Sequence, residues 1–370
     1  MARQRCSRGP AVPPWSGKTR SGLFPLAYHP CRARDRNGTV RVPPTLGPGR
    51  LLIAHQGLRV RVVSVMNYKG GVGKTTLTAN LAAETARLGY RVLTVDLDPQ
   101  SNLTFSFYSA ADWHEDLREA RTIKRWFDSR PPGRDVPLRD LVLTPPRVND
   151  VLKKHLGQLD MIASHLGLID IDLQLAMALH DGRDPALGYL AVHGALGEAL
   201  RDPFFQTYDL VLIDCAPNFG LVTKAAIAAS DYIIVPAKPD YLSTLGIGYM
   251  VGSLHHLVEE FNTMADRATA LGYPTRHVAP EIAGAVFTMT HIHDGRPINA
   301  QRNQIAQVYA EGITRVFRAT VRNSARYFAE AGESGVPAVL RGAQSDLLTV
   351  ELRALTDEIL SALHEKGLPR

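Results

Sequence analysis

The chain has 370 residues, of which 45% are hydrophobic and 21% charged. This profile is typical of a globular protein with a sizeable core, and it excludes disorder throughout the chain. No run approaches the ~18 uncharged apolar residues of a membrane-spanning helix. The three cysteines are too few and too scattered for a disulfide framework or a zinc site, which favours a reducing, cytoplasmic setting.

The positive charge is concentrated at one end of the chain. Residues 1–60 hold 11 Lys or Arg against a single acid, Asp35, so residues 61–370 carry −4 although the whole chain carries +6. The basic pI is therefore a property of the N-terminal segment. It does not by itself predict that the rest of the chain binds nucleic acid.

Residues 1–58 are predicted to be a disordered extension. They show no sustained apolar period and contain prolines at 10, 13, 14, 25, 30, 43, 44 and 48, so they cannot bury enough apolar surface to offset their conformational entropy. Three interpretations stay open: a basic nucleic-acid-binding arm, a plain extension, or sequence upstream of the true start. Order is expected to begin near Leu58, and residues 59–370 are expected to form one folded domain.

From there, short apolar runs alternate with longer amphipathic stretches. Strands are predicted at Val60–Met66, Arg91–Val95, Leu159–Ala163, Leu210–Asp214, Tyr232–Val235 and Ile282–Thr288. Helices are predicted at Thr75–Leu88, Pro185–Leu200, Leu221–Ala229, Thr244–Phe261, Ile298–Ala310 and Asp346–His364. This alternation predicts an α/β fold, a mostly parallel twisted sheet with helices on both faces. Residues 105–157 are less regular and are expected to add a helix and loops.

A glycine-rich stretch between the first strand and the first helix predicts a phosphate-binding loop. It reads Lys69, Gly70, Gly71, Val72, Gly73, Lys74, Thr75, Thr76, close to G-x-x-x-x-G-K-[ST] with Lys69 in place of the first glycine. The glycines let successive backbone N–H groups surround a phosphate, and the helix N-terminus adds its positive dipole end. Lys74 is expected to reach the β- and γ-phosphates of a nucleotide, and the Thr75 hydroxyl to bind Mg²⁺.

Two acidic positions end predicted strands. Asp98 follows Arg91–Val95 in the run Asp96-Leu97-Asp98, and Asp214 ends Leu210–Asp214. Ligands of open α/β sheets bind at the carboxyl ends of the strands, so both carboxylates are expected near the phosphate loop. Asp214 is predicted to hold Mg²⁺ through water, and Asp98 to orient the attacking water and to lie in the metal site.

These motifs give the chain a recognisable likeness. NYKGGVGKTTLTANL at 67–81, VLTVDLDPQSN at 92–102, LDMIASHLGL at 159–168, YDLVLIDCAPNFGLVT at 208–223 and DYIIVPAKPDY at 231–241 resemble the ParA/Soj partition ATPases of the MinD/ParA group. The likeness covers roughly residues 60–365, with a weaker match at EAGESGVP (330–337). It departs from the family's usual CPPS at Cys215–Asn218 and by one inserted residue near 321–329.

The resemblance implies a function as well as a fold. It implies slow hydrolysis of ATP with Mg²⁺, with Lys69, Lys74 and Asp98 as catalytic residues, and Lys69 as the signature lysine that reaches the nucleotide of the opposing subunit in a homodimer. It also implies nonspecific DNA binding by the dimer, stimulation by a ParB-type centromere-binding partner, and a cytoplasmic, nucleoid-associated protein that acts on a plasmid or chromosome.

A second cationic stretch lies outside these motifs. Arg315, Arg318, Arg322 and Arg326 fall within twelve residues with no acid between them. Such a run is typical of a solvated face, whereas basic residues near this segment bind DNA in the related proteins. On that resemblance, Arg318, Arg322 and Arg326 are predicted DNA-binding residues.

Three other functions compete with partition. A MinD-like ATPase acting at a membrane is disfavoured because residues 350–370 lack a basic and aromatic face, and no membrane partner is expected. An iron–sulfur reductase is excluded because the cluster cysteines between the motifs are missing. An orphan positioning ATPase or a scaffold for another cargo stays open.

Overall fold

A computed structural model describes residues 60–130, 136–179, 184–343, 345–365 and 367–368. The predicted disordered extension over residues 1–58, and the predicted start of order near Leu58, lie outside the described residues. Over the described residues, no helix combines the length and the apolar character that crossing a membrane requires.

Six parallel strands form the central sheet in the order β3-β2-β4-β1-β5-β6. They are β1 Arg61–Val65, β2 Arg91–Asp96, β3 Gln158–Ile162, β4 Leu210–Asp214, β5 Tyr232–Ala237 and β6 Glu281–Phe287. All six were predicted, with ends that differ by no more than two residues. The prediction of an α/β fold with a mostly parallel sheet is confirmed.

Helices cover both faces of the sheet, which is why every residue of β4 and β5 is buried. Helices α1, α13 and α14 pack on one face, and α6 to α10 pack on the other. The helix bounds are α1 Lys74–Arg87, α2 Asn102–Phe105, α3 Ala110–Asp112, α4 Ile123–Asp128, α5 Pro146–Leu152, α6 Leu168–Ala178, α7 Pro185–His193, α8 Ala195–Ala199, α9 Leu221–Ala229, α10 Tyr241–Ala270, α11 Asn299–Glu311, α12 Ala325–Ser334, α13 Ala338–Arg341 and α14 Leu347–Glu365.

Two predicted helices differ from the structure in extent. The predicted helix Pro185–Leu200 is divided at Gly194 into α7 and α8. Helix α10 runs from Tyr241 to Ala270 and thus exceeds the predicted Thr244–Phe261 at both ends. Its buried stripe continues through Ala265 and Ala268, whose small side chains give only a weak apolar signal in the sequence.

Both outer strands of the sheet have a neighbouring segment. Residues 315–322 run beside β6, where Ala285 N–H donates to the Arg315 carbonyl at 2.7 Å and Val321 N–H donates to the Phe287 carbonyl at 3.0 Å. At β3, Leu143 and Met161 exchange two backbone hydrogen bonds, both of 2.8 Å. A short hairpin, β7 Ile292–His293 and β8 Arg296–Pro297, follows β6.

Candidate functional site

Three predicted site segments meet at the carboxyl edge of the sheet. Strand β4 lies between β1 and β2, so Val65 and Asp96 both pair in register with Asp214. This order places the loop after β1, the acidic turn after β2 and the end of β4 side by side. A crevice of this kind, where the strand order changes direction, is where open α/β sheets bind ligands.

The loop after β1 owes its shape to two glycines. Gly71 has φ 66° and Gly73 has φ 77°, both in the left-handed region that favours glycine. Gly73 is the N-cap of α1, and no side chain caps the N–H groups of that helix. An uncapped N-terminus behind a glycine loop fits a phosphate group, because its N–H groups are available as donors and its dipole favours an anion.

Thr75 and Asp214 face each other across this crevice. The Thr75 hydroxyl donates to a carboxylate oxygen of Asp214 at 2.6 Å, and Thr78 lies 3.4 Å from the other oxygen. Burial, reinforced by the carboxylates of Asp96 and Asp98, raises the pKa of Asp214 well above its usual range. A cation would relieve that penalty, and these hydroxyl and carboxylate oxygens fit Mg²⁺.

Protein side chains alone do not form a metal cage here. Within the described part of the chain, no three His, Cys, Asp or Glu side chains are grouped so that they could hold a metal ion. Nucleotide-bound Mg²⁺ needs no such cage, because phosphate oxygens and waters supply most of its ligands. The residues present therefore fit a Mg²⁺–nucleotide complex better than a resident metal ion.

Lys74 lies beneath the loop with its ammonium group among backbone oxygens. Its Nζ donates to the carbonyls of Asn67 at 3.2 Å and Lys69 at 3.3 Å. Burial lowers the pKa of Lys74, and the negative charges of Asp214 and Asp98 oppose that shift. A phosphate would offer this desolvated cation a stronger, charge-assisted partner than two carbonyls.

The side chain of Lys69 contacts the start of helix α10. Its Nζ lies 2.9 Å from a carboxylate oxygen of Asp240 and 2.9 Å from the Ser243 hydroxyl. Asp240 also caps α10 by accepting from Ser243 N–H at 2.8 Å. Burial raises the pKa of Asp240, but the hydrogen bonds from Lys69 and Ser243 outweigh it and the net shift is downward. Any contact of Lys69 with another molecule therefore competes with Asp240.

Asp98 is held in place by a buried neighbour. Asp96 accepts from the N–H and hydroxyl of Thr104 at 2.8 and 2.7 Å and from Asp98 N–H at 3.1 Å. Burial, with a smaller contribution from the charge of Asp98, raises the pKa of Asp96 to about 7. Asp98 itself is 7% exposed and accepts from Gln100 N–H at 2.9 Å. Its carboxylate is thus fixed beside the crevice.

Sequence reasoning left out a cavity next to the loop. It has a volume of about 170 Å³ and lies between Gly73 and Thr76 on one side and Thr288, Met289 and Asn323 on the other. The Thr288 hydroxyl donates to the Val72 carbonyl at 2.7 Å and so joins β6 to the loop. No sequence motif marks this cavity, because its walls come from segments far apart in the chain.

Comparison with known proteins identifies the family. A family model described as an AAA domain matches residues 60–266, more than half of the chain. The chromosome-partitioning ATPase Soj of Thermus thermophilus is 30% identical over 307 residues, which cover 83% of this chain and 98% of Soj. The chain belongs to the ParA/Soj family of partitioning ATPases. The resemblance stated from the motifs is confirmed.

Other relatives are matched over only part of their length. An uncharacterised protein from Methanocaldococcus jannaschii is 30% identical over 54% of this chain and 66% of its own length. A putative replication protein A from Rhizobium rhizogenes is 30% identical over 55% of this chain and 46% of its own length. The chain spans 53% of the cell division protein PomZ from Myxococcus xanthus, at 31% identity over 54% of this chain. The names of two of these relatives refer to replication and to cell division.

Solved structures share the fold of this ParA/Soj-family chain. A complex of a Cyanothece McdA variant with ATP superposes with a TM-score of 0.59 at 20% identity, covering 85% of this chain and all of McdA. A Borrelia burgdorferi plasmid partition protein bound to AMPPNP superposes with a TM-score of 0.54 at 17% identity, covering 83% of this chain and all of that protein. At these identities the likeness concerns the fold alone.

The predicted DNA-binding arginines lie beside acids that their own stretch lacks. Glu351, Glu358 and Glu365 follow one another every seven residues along α14, on the side that faces residues 315–322. Glu351 accepts from Arg322 Nη2 at 2.7 Å, and this hydrogen bond raises the pKa of Arg322. Glu358 accepts from Arg318 N–H at 2.9 Å, and Glu365 lies 3.3 Å from Arg315.

The arginines therefore differ in their availability to an external anion. The side chain of Arg322 is 26% exposed and paired with Glu351, whereas that of Arg326 is 90% exposed beside Glu330. Arg318 is exposed, and Glu358 binds its backbone N–H. The sequence does not indicate the pairing with Glu351 and Glu358 because both lie on α14, far along the chain, whereas Glu330 lies on α12, four residues after Arg326.

Proposed function

We propose that this chain binds ATP with Mg²⁺ and hydrolyses it slowly, as the switch of a partition system for a plasmid or chromosome. The observation that carries the proposal is the convergence of Lys74, Thr75 and Asp214 at one edge of the sheet, with Asp98 held beside them. Cation, hydroxyl and carboxylate are the side chains that phosphoryl transfer needs around a glycine loop.

Each residue of the crevice has a distinct task in this proposal. Backbone N–H groups of the loop from Gly70 to Thr76 bind the phosphates, and Lys74 neutralises charge on the β- and γ-phosphates. Thr75 directly and Asp214 through water would hold Mg²⁺, which supplies further charge neutralisation there. Asp98 accepts a hydrogen bond from the attacking water and orients it toward the γ-phosphate.

Dimerisation is the output of nucleotide binding in this proposal. Lys69 leaves Asp240 and reaches the nucleotide of the opposing subunit, adding a cation where the charge of the transferred phosphoryl group spreads. The dimer binds DNA without sequence preference through exposed arginines, Arg318 and Arg326 before Arg322, and a ParB-type partner stimulates hydrolysis. This cycle operates in the cytoplasm, on the nucleoid and without a membrane partner.

A positioning role for another cargo is the second candidate. It is favoured by the 31% identity to PomZ, which is a cell division protein. Both candidates use the same nucleotide switch and differ in the stimulating partner. A ParB-type gene adjacent to this one would select partition, and a different neighbour would select positioning.

Measuring ATP hydrolysis together with oligomeric state tests the proposal. The full chain should turn over ATP slowly, faster with DNA and partner, and should sediment as a dimer with Mg²⁺–ATP but as a monomer with Mg²⁺–ADP. Chelation of Mg²⁺ should abolish turnover. A chain that binds no ATP, or that sediments identically with ATP and ADP, would contradict the proposed switch.

A further inference from the structure

Helix α6 (Leu168–Ala178) contacts both acid-bearing segments of the crevice. Ser164, in the loop that leads into α6, is fully buried and donates its hydroxyl to the Asp98 carbonyl at 2.6 Å. Ser164 N–H donates to the Thr104 hydroxyl at 2.9 Å, and Thr104 in turn holds Asp96. The loop that leads into α6 is thus bound to the turn that carries Asp98.

The middle of α6 is bound to the loop that follows Asp214. A carboxylate oxygen of Asp172 accepts from Val222 N–H, in the first turn of α9, at 3.0 Å. The N-cap of α9 is Gly220, which has no side chain to perform this task. Asp172 therefore caps α9 from a different helix, and the cap joins the two helices.

Gly220 is explained by this contact. A Cβ at position 220 would lie 2.1 Å from the second carboxylate oxygen of Asp172. The backbone of Gly220 has φ −69° and ψ 177°, which any residue adopts. Glycine is thus required here for the close approach of Asp172, and backbone strain plays no part.

Asp172 also lines a cavity between the two acid-bearing segments. The cavity measures about 240 Å³, with Leu97 and Pro99 on one side and Ala216 and Asn218 on the other. The outer face of α6 is apolar and exposed: Ile169, Leu173 and Met177 are 67%, 68% and 70% exposed. Helix α6 and the loop before it therefore contact the segments beside Asp98 and Asp214, while the opposite side of the helix exposes apolar side chains to solvent.

We propose that Asp172 is a positioning residue that couples α6 to the loop 215–220, so that nucleotide in the crevice changes the stability of α6. The inference rests on the proposed nucleotide function and deepens it. Its physical basis is the pair of hydrogen bonds described above: Asp172 accepts from the backbone of α9, and Ser164 donates to the turn that carries Asp98. A shift of either acidic segment is thereby transmitted to the outer face of α6.

A pair of variants separates coupling from simple helix capping. Asp172→Ala removes the cap and the link together. Adding Gly220→Ser to Asp172→Ala restores a cap from within α9, because the extended conformation at 220 suits an N-cap serine and the clash with Asp172 is gone. Asp170→Ala, an exposed residue on the same helix, is the matched control, and Asp172→Asn keeps the acceptor oxygen.

Amide hydrogen exchange with Mg²⁺ and a non-hydrolysable ATP analogue is the readout. In the wild type and in Asp170→Ala, nucleotide should slow exchange in both 215–224 and 168–178. Asp172→Ala should speed exchange at the start of α9 about fivefold and lower the melting temperature by ~2–4 °C. The double variant should recover the exchange rate of α9 and the melting temperature, yet nucleotide should slow exchange in α6 at most half as much as in the wild type, because only the Ser164 link remains. Asp172→Asn should retain the response.

Turnover provides a second readout. In both Asp172→Ala and the double variant, kcat should fall about tenfold with KM for ATP unchanged, because the acids shift while the phosphate loop is untouched. Recovery of kcat and of the α6 response in the double variant would reduce Asp172 to a structural cap, as would an α6 that never responds in the wild type. Absence of nucleotide binding in the wild type would instead refute the proposed function, and this inference with it.

Discussion

The phosphate loop and the arginine segment 315–326 both concentrate positive charge, but their cations are used differently. Lys74 lies beneath a loop that leads into a helix N-terminus without a side-chain cap, and its ammonium group donates to backbone carbonyls near the carboxylates of Asp98 and Asp214. The arginine segment lies against a row of glutamates on α14, and Arg322 already has a partner in Glu351. A cation that donates to backbone carbonyls, such as Lys74, is therefore a better indicator of a ligand site than one that already donates to a carboxylate, such as Arg322.

The largest effect is expected at the phosphate loop. Lys74→Ala should weaken ATP binding by at least about 100-fold, or ~3 kcal/mol, because the phosphates lose their buried cation. Titration calorimetry measures this loss, with Lys153→Ala as a control, since Lys153 is 75% exposed and pairs with Asp150. Binding within threefold of wild type would show that the loop does not use Lys74.

Asp98 should separate binding from chemistry. Asp98→Ala should lower kcat by ~10²–10⁴ while ATP affinity stays within a few-fold, because water orientation is lost and the phosphate contacts remain. The variant should accumulate as an ATP-bound dimer, measurable by sedimentation alongside a single-turnover assay. Hydrolysis at the wild-type rate would remove Asp98 from the catalytic residues.

Lys69 tests whether its contact with Asp240 restrains dimerisation. Asp240→Asn keeps an N-cap for α10 but removes the charge that holds Lys69, so the dimer should form at about fivefold lower ATP. Lys69→Gln should have the opposite effect and uncouple ATP binding from dimerisation. Sedimentation velocity over an ATP series distinguishes these outcomes, and an ATP dependence unchanged in both variants would contradict the role of Lys69.

The arginine segment should give smaller, graded effects on DNA binding. Arg326→Ala should lower affinity for all DNA sequences alike and reduce the slope of log affinity against log salt by ~0.9 per lost phosphate contact. Arg322→Ala should do less, because Glu351 already neutralises that arginine. Glu351→Gln should strengthen binding, whereas Asp357→Asn, exposed on the same helix, should not. Equal effects of the substitutions at Arg322 and Arg326 would show that pairing with Glu351 does not limit DNA binding by Arg322.

The smallest effect is expected from removing residues 1–58. Deletion removes a basic segment with no sustained apolar period, so the melting temperature should change by no more than ~2 °C and ATP binding should persist. ATP-dependent DNA binding should also persist in the chain that starts at residue 59. If DNA binding is lost, the basic extension is the binder and the arginine segment is not.

The features that the sequence predicted best are those encoded locally. The loop motif occupies eight consecutive residues, and all six strands carry apolar runs that helices then cover on both faces. The contact of Lys69 with Asp240 joins residues 171 positions apart, and that of Arg322 with Glu351 joins residues 29 apart. No local pattern predicts such pairs, since they arise only when the sheet and its helices pack.

Helix length shows a second limit of the pattern. Helix α10 continues past Phe261, and its buried side in this last part is formed by the small side chains of Ala265 and Ala268. Hydrophobic periodicity weighs alanine lightly, so the predicted helix ended too soon. Asp96 was seen in the sequence beside Asp98, but its role as a buried support became clear only from its contacts with Thr104.

The segment beside β6 also has a consequence for solubility. An outer strand with unpaired backbone groups is a template on which another chain can add a strand and aggregate. Here residues 315–322 cover β6, and the carboxylates of Glu351 and Glu358 take the outward N–H groups of Arg318, Ala319 and Arg322. At this edge of the sheet, glutamate side chains thus occupy backbone N–H groups with which a further strand would otherwise pair.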